Sequence, residues 1–192
     1  MAKKYEFKPD KPYSGILSKL LLTQKQRRSV LKWVLYSLVL LVLSILQDVL
    51  LCRFRLFGAT TELVPAGIFM ICVLEGLEQG SIFSLFASCI YLFSGSAAGN
   101  YSIVFITALA IGVTFFRQSY LRKGFSATML CTAAAMLVYE LAVFAIGLFL
   151  GLTTLDRIGT FCLSALLTLV AAPAVYPAVK AISTIGGESW KE

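Results

Sequence analysis

The sequence predicts an all-α integral membrane protein, a bundle of about six transmembrane helices. Three observations carry this. Of 192 residues, 58% are hydrophobic and 14% charged, with a mean hydropathy of +0.84, a balance with too few polar side chains to coat a soluble globule. The apolar residues fall in runs that, at about 20 residues per span, use roughly 120 positions and leave no room for a separate soluble domain. The formal net charge is +7, yet the lysines and arginines gather beside the apolar runs, which is the footprint of membrane topology rather than of nucleic-acid binding.

Residues 1–29 form a basic segment carrying Lys3, Lys4, Lys8, Lys11, Lys19, Lys25, Arg27 and Arg28 against Glu6 and Asp10. Such a segment is expected in the cytoplasm, facing anionic lipid. Within it Ile16, Leu17, Leu20 and Leu21 fall at helical spacing beside Lys19 and Lys25, which fits either a short amphipathic helix on the inner leaflet or a disordered basic tail. No small-residue cleavage site follows a short apolar core, so a removable signal peptide is not expected. Six helices are then expected over residues 30–182, followed by a cytoplasmic tail over 183–192.

The first span runs from Val30 to Leu51 through VLYSLVLLVLSILQDVLL, long enough to cross a hydrocarbon core about 30 Å thick. Trp33 and Tyr36 stand where an inner aromatic belt belongs. The second, Thr61 to Leu77, carries Pro65 in its first turn, where the missing N–H is tolerated, and ends at Glu75 and Glu78. The third, Gly80 to Phe93, is short for a span and is expected to be tilted, broken or buried by neighbours. After SGSAAGN, the fourth runs from Tyr101 to Phe116 and stops at Arg117, the fifth from Phe125 to Leu150, and the sixth from Ile158 to Val179. Pro173 and Pro177 are expected to kink or fray the end of the sixth.

With the N-terminus inside, fourteen Lys/Arg fall on the cytoplasmic side and three, Arg53, Arg55 and Arg157, outside. That asymmetry places both termini in the cytoplasm. No internal repeat is evident, so an inverted-repeat transporter has no support.

The chain has no histidine, the commonest acid/base at neutral pH and the commonest transition-metal ligand. The five cysteines, Cys52, Cys72, Cys89, Cys131 and Cys162, are widely spaced without a Cys-x-x-Cys pair and read as small apolar fillers. No glycine loop suited to phosphate is present, so neither an enzyme nor a cofactor is expected.

Glu140 is the one carboxylate well inside an apolar run, about 15 residues and hence about 22 Å from the inner end of its helix. A carboxylate at that depth faces protein or a water-filled cavity. It is either a hydrogen-bonded packing residue or a specific contact with a partner or ligand. Asp48 is expected at the outer interface, paired with Arg53 or another outer charge, with Glu62 doing the same. Glu75 and Glu78 share a helix face but lack a histidine or third acid, and read as a solvated helix end. Ala133, Ala134, Ala135 and Ala142 suggest a small-residue face on the fifth helix, which ends with Gly147 and Gly151 at GxxxG spacing. Such a surface suits close helix packing, within the bundle or against a partner helix.

Taken in order, these pieces resemble the rod shape-determining membrane protein MreD family. The resemblance covers most of the chain after residue 30 and is carried by QDVLL, RLFGATTELVP, LEQGSIFSLFASCIYLFSG and the final VAAPAVYPAVK. Where the family shows Pro-Asp-Leu, this chain has Thr61, Glu62 and Leu63. Ser84, Ala87 and Ser88 replace glycines of the family's third helix, and Tyr91 or Leu92 stands near the place of an acid. The resemblance implies a non-enzymatic scaffold of bacterial cell-wall elongation in the cytoplasmic (inner) membrane. It would sit with an MreC-like single-span protein, with the polymerase RodA and its penicillin-binding protein, and with MreB filaments inside. It also implies a bundle similar to the substrate-binding (S) subunits of energy-coupling-factor vitamin transporters, which supplies the rival function. Such a subunit needs an outward cavity with convergent polar and aromatic groups, and a small-residue seam for its transmembrane partner. On the first helix that seam reads mostly Leu and Val, with Ser37 and Ser44 seven apart.

Overall fold

The computed structural model describes residues 24–53, 58–121 and 124–185. Their regular structure is helical: α1 (Gln24–Ile45), α2 (Leu63–Glu75), α3 (Leu77–Phe93), α4 (Tyr101–Tyr120), α5 (Phe125–Phe149) and α6 (Ile158–Ser183). A π-helical turn at Leu46–Leu50 and a 3-10 turn at Leu51–Arg53 follow α1, and another 3-10 turn, Leu155–Arg157, leads into α6. Four helical stretches, Ser29–Val49, Tyr101–Tyr120, Phe125–Phe149 and Leu155–Ser183, are long and apolar enough to cross a membrane. The chain is thus built as a multi-pass membrane protein.

Each of the four long helices carries a long apolar window, and burial separates the roles of its faces. On α1 a stripe of Lys32, Tyr36, Leu40 and Leu43 is buried, while Val34, Leu38, Leu41, Val42 and Ile45 are more than half exposed. Spacings of three and four put the first set on one helix face. The second set presents hydrocarbon to a solvent that is itself hydrocarbon, so its exposure costs nothing.

Helix α2 obeys a different rule. At 13 residues it is about 20 Å long and falls short of a bilayer core of about 30 Å. It packs against all five other helices, and every residue except Leu74 is buried. Protein, not lipid, is its solvent. A helix so surrounded needs no full span, provided its polar ends find partners in the protein. The chain then reverses at Gly76 (φ +95) into the 17-residue α3. The two helices touch so closely that a Cβ on Gly80 would lie 2.9 Å from the Cys72 Cα. The Cys72 thiol donates to the Gly80 carbonyl at 3.1 Å.

Several sequence expectations change. The fourth helix does not stop at Arg117 but runs to Tyr120, with Arg117 buried. Helix α6 continues past Pro173 and Pro177 to Ser183, so its end does not fray there; both prolines are exposed, with their rings on the outer face, and each lacks the N–H of a backbone hydrogen bond. Tyr36 is no belt residue: it is fully buried. Of the four alanines expected to form one face, Ala135 is buried and Ala134 exposed, since consecutive helical residues point about 100° apart. The amphipathic stretch Ile16–Leu21, the centre of the RFRLFG loop, Arg122 with Lys123, and the tail beyond Ile185 lie outside the described residues.

Candidate functional site

The buried acids among the described residues lie near the two ends of α2. At its C-terminal end Glu75 is 2% exposed, which corrects the expectation of a solvated helix end; Glu78, one turn on, is exposed. Lys32 Nζ lies 2.6 Å from Glu75 Oε2, and the Tyr36 hydroxyl donates to Glu75 Oε1. Trp33 and Phe83 pack around the triad with ring centroids 5.3 Å apart. A carboxylate opposes the dipole at a helix C-terminus, and the ammonium and phenol compensate it inside the protein.

At the other end, Glu62 immediately precedes α2. The turns around residues 58–62, 94–100 and 150–157 meet here and open a cavity of about 360 Å³. Its walls include Glu62, Glu140, Tyr101, Phe161, Thr160 and Arg157. Glu140 is 3% exposed and is brought by α5 to the same cavity as Glu62. One oxygen of each carboxyl, Glu62 Oε2 and Glu140 Oε1, is buried without a hydrogen-bond partner. Arg157 is exposed at the rim, and among the described residues no ion pair joins it to either acid. Among the described residues, then, Glu62 has no ion-pair partner at the interface.

The cavity wall is pinned to α6. The Glu62 N–H donates to Thr168 Oγ1 at 2.9 Å, and the Thr60 N–H to Ser164 Oγ at 3.2 Å. Thr168 in turn donates to the Ser164 carbonyl at 2.8 Å. From α1, Gln47 accepts the Val64 N–H at 3.0 Å, satisfying one of the orphan donors of the first turn of α2.

Asp48 is exposed near the same end. It accepts from Ser96 Oγ at 2.7 Å and from Ser44 Oγ at 3.3 Å, tying the π turn to the 94–100 loop. The expected glycine seam takes another form. Gly151 lies beyond the end of α5 with φ +70, a left-handed conformation that a side chain disfavours. Leu152 N–H bonds the Gly147 carbonyl at 2.8 Å and Gly151 N–H the Leu148 carbonyl at 3.1 Å. This is a Schellman cap that ends the helix, so Gly147 and Gly151 do not form a helix-packing face. A Cβ on Gly147 would meet Thr153 Cγ2 at 3.1 Å.

A third feature lies along the side of the bundle. Helices α1 and α3 barely touch and leave between them a groove of about 600 Å³, from Trp33 and Phe83 past Ser37 and Phe86 to Ser44 and Ser94. Among the described residues no three His, Cys, Asp or Glu side chains come together as a metal site would require.

Sequence reasoning singled out Glu140 but missed its pairing with Glu62, and missed the Lys32–Glu75 ion pair. Each joins residues far apart in the chain, and no local pattern encodes either. Comparison with models of protein families, with curated proteins and with solved structures finds no match to this chain.

Proposed function

We propose that the chain is a non-enzymatic scaffold of the bacterial cell-wall elongation machinery, resident in the cytoplasmic membrane with both termini in the cytoplasm and all six helices embedded. It would hold an MreC-type single-span protein and stand beside RodA with its penicillin-binding protein, with MreB filaments inside. The resemblance of QDVLL, RLFGATTELVP and the following apolar stretch to the MreD family supports this reading. So does the Lys/Arg asymmetry, which orients the chain.

The observation that carries the reading furthest is the groove between α1 and α3. It is open along the side of the bundle, apolar, and about 600 Å³, with Ser37 and Ser44 on its α1 wall. Small hydroxyl residues let a helix backbone approach and offer it hydrogen bonds. A single transmembrane helix suits such a cleft. The test places a photo-crosslinking amino acid at Phe86, which is 63% exposed on the groove wall, and for comparison at Val170, which is 81% exposed on α6. Co-expressed with its single-span partner, the first protein should crosslink and the second should not. Equal crosslinking from both positions, or none from Phe86, would refute the groove as the docking site.

The cavity at the Glu62 end favours a second reading, the substrate-binding subunit of an energy-coupling-factor transporter, because it combines polar and aromatic walls. A vitamin that raised the unfolding temperature of the purified protein would support that reading over the scaffold.

A further inference from the structure

The cavity between α2, α5 and α6 has an electrostatic character that neither reading explains. Two carboxyl groups line it, Glu62 and Glu140. Glu140 is 97% buried by its 3% exposure, and each acid has a buried oxygen with no hydrogen-bond partner among the described residues. Elsewhere the fold does satisfy a buried acid, giving Glu75 both an ammonium and a phenol. Two ionised carboxylates buried together without partners are costly, so the pair is eased by holding either a proton or a bound cation.

The surrounding structure holds the acids in place. Hydrogen bonds from Thr60 and Glu62 to α6 fix one wall, and the Schellman cap at Gly151 fixes the turn opposite. Tyr101 and Phe161 contribute aromatic walls, surfaces that attract an organic cation through their ring faces. A volume of about 360 Å³ lies at the small end of ligand sites, which run from about 300 to 1,000 Å³.

We infer that this cavity is a binding site for one organic cation, an ammonium or guanidinium group seated between Glu62 and Glu140 and bounded by Tyr101 and Phe161. The group can arrive on a small amine or at the tip of a lysine or arginine side chain of another protein. Its single positive charge balances one ionised carboxylate while the other carboxyl keeps its proton, and its N–H donors reach oxygens that have no hydrogen-bond partner among the described residues. The site is separate from the α1–α3 groove, so its test and the crosslinking test fail independently.

The experiment uses the full chain in lipid nanodiscs and measures calorimetric binding together with the shift in unfolding temperature. The probes are agmatine and spermidine as free amines, Nα-acetyl-lysine methylamide as a stand-in for a protein side chain, and 1,4-butanediol as a neutral control. At least one cationic probe should bind saturably and the diol should not. Glu140→Gln and Glu62→Gln should each weaken binding about tenfold or more, as expected for losing a charge-assisted hydrogen bond. Glu78→Gln, at the opposite end, should leave it unchanged. Binding of the free amines alone identifies a small solute as the source, and binding of the capped lysine alone identifies a partner's side chain. Should Glu140→Gln fail to fold, Glu62→Gln decides in its place. Equal binding of the diol, undiminished binding after the glutamine substitutions, or no cationic binding at all would overturn the proposal. So would binding that emerges only in Arg157→Gln, which would make the chain's own arginine the occupant.

Discussion

At one end of the central helix Glu75 is enclosed, paired with Lys32 and Tyr36 beneath Trp33 and Phe83. At the other, Glu62 and Glu140 share a cavity, and each keeps an oxygen without a partner. Both ends gather acids beside one short helix, yet only at one are they paired within the described residues. The difference separates structure from function in physical terms. A satisfied buried ion pair locks the position of α1 on α2, whereas unsatisfied acids beside open volume lower stability and gain only if something else binds.

Breaking the closed end should have the largest effect. Lys32→Met leaves Glu75 buried and uncompensated, and should destabilise the protein by about 3 to 5 kcal/mol. Adding Glu75→Gln removes the orphan charge while keeping an acceptor for Tyr36, and should restore most of that loss. Thermal unfolding of the two variants and of Glu75→Gln alone completes a double-mutant cycle. An additive cycle would mean that the pair does not interact.

Gly80→Val tests the same end through packing. The new Cβ would meet the Cys72 backbone at 2.9 Å, and backbone cannot rotate away as a side-chain tip can. Overpacking of this kind costs about 1 to 3 kcal/mol. If Gly80→Val unfolds at the wild-type temperature, α2 and α3 are not held as closely as described.

The open end should respond least and with the opposite sign. Without any added cation, Glu140→Gln removes an ionisable group beside Glu62 and supplies an N–H donor in its place, and at a pH where both acids ionise it should stabilise the protein by up to about 1 kcal/mol, the size of one net hydrogen bond. Unfolding measured in amine-free buffer checks it. Destabilisation instead would show that the Glu140 charge already has a partner within the fold, and the contrast between the two ends would collapse.

The site was partly legible in the chain. Glu140 stood out because a carboxylate inside a long apolar run is rare and must face protein. Glu62 and Glu75 did not, because each borders a short apolar run, where an acid ordinarily marks a wet helix end. Gly147 and Gly151 have the spacing of a packing motif, but that spacing means one face only while the helix continues, and α5 ends at Phe149. Arg117 reads as a stop for the same reason in reverse: a charge after an apolar run resembles a boundary until neighbouring helices are seen to bury it.

What the sequence determined by itself is the class of solvent and the long helices, because lipid requires about 20 contiguous apolar residues and every backbone group bonded within the segment, and both demands are local. Which helix forms the core was decided by tertiary structure. Residues 63–75 and 77–93 are comparably apolar and short, yet only the first is enclosed by all five neighbours. That enclosure buries Glu75 against Lys32, 43 positions apart by number, and gathers Glu62 and Glu140 around one cavity. Whether a charge is paired or left open depends on what packs beside it, and no periodicity along the chain records that.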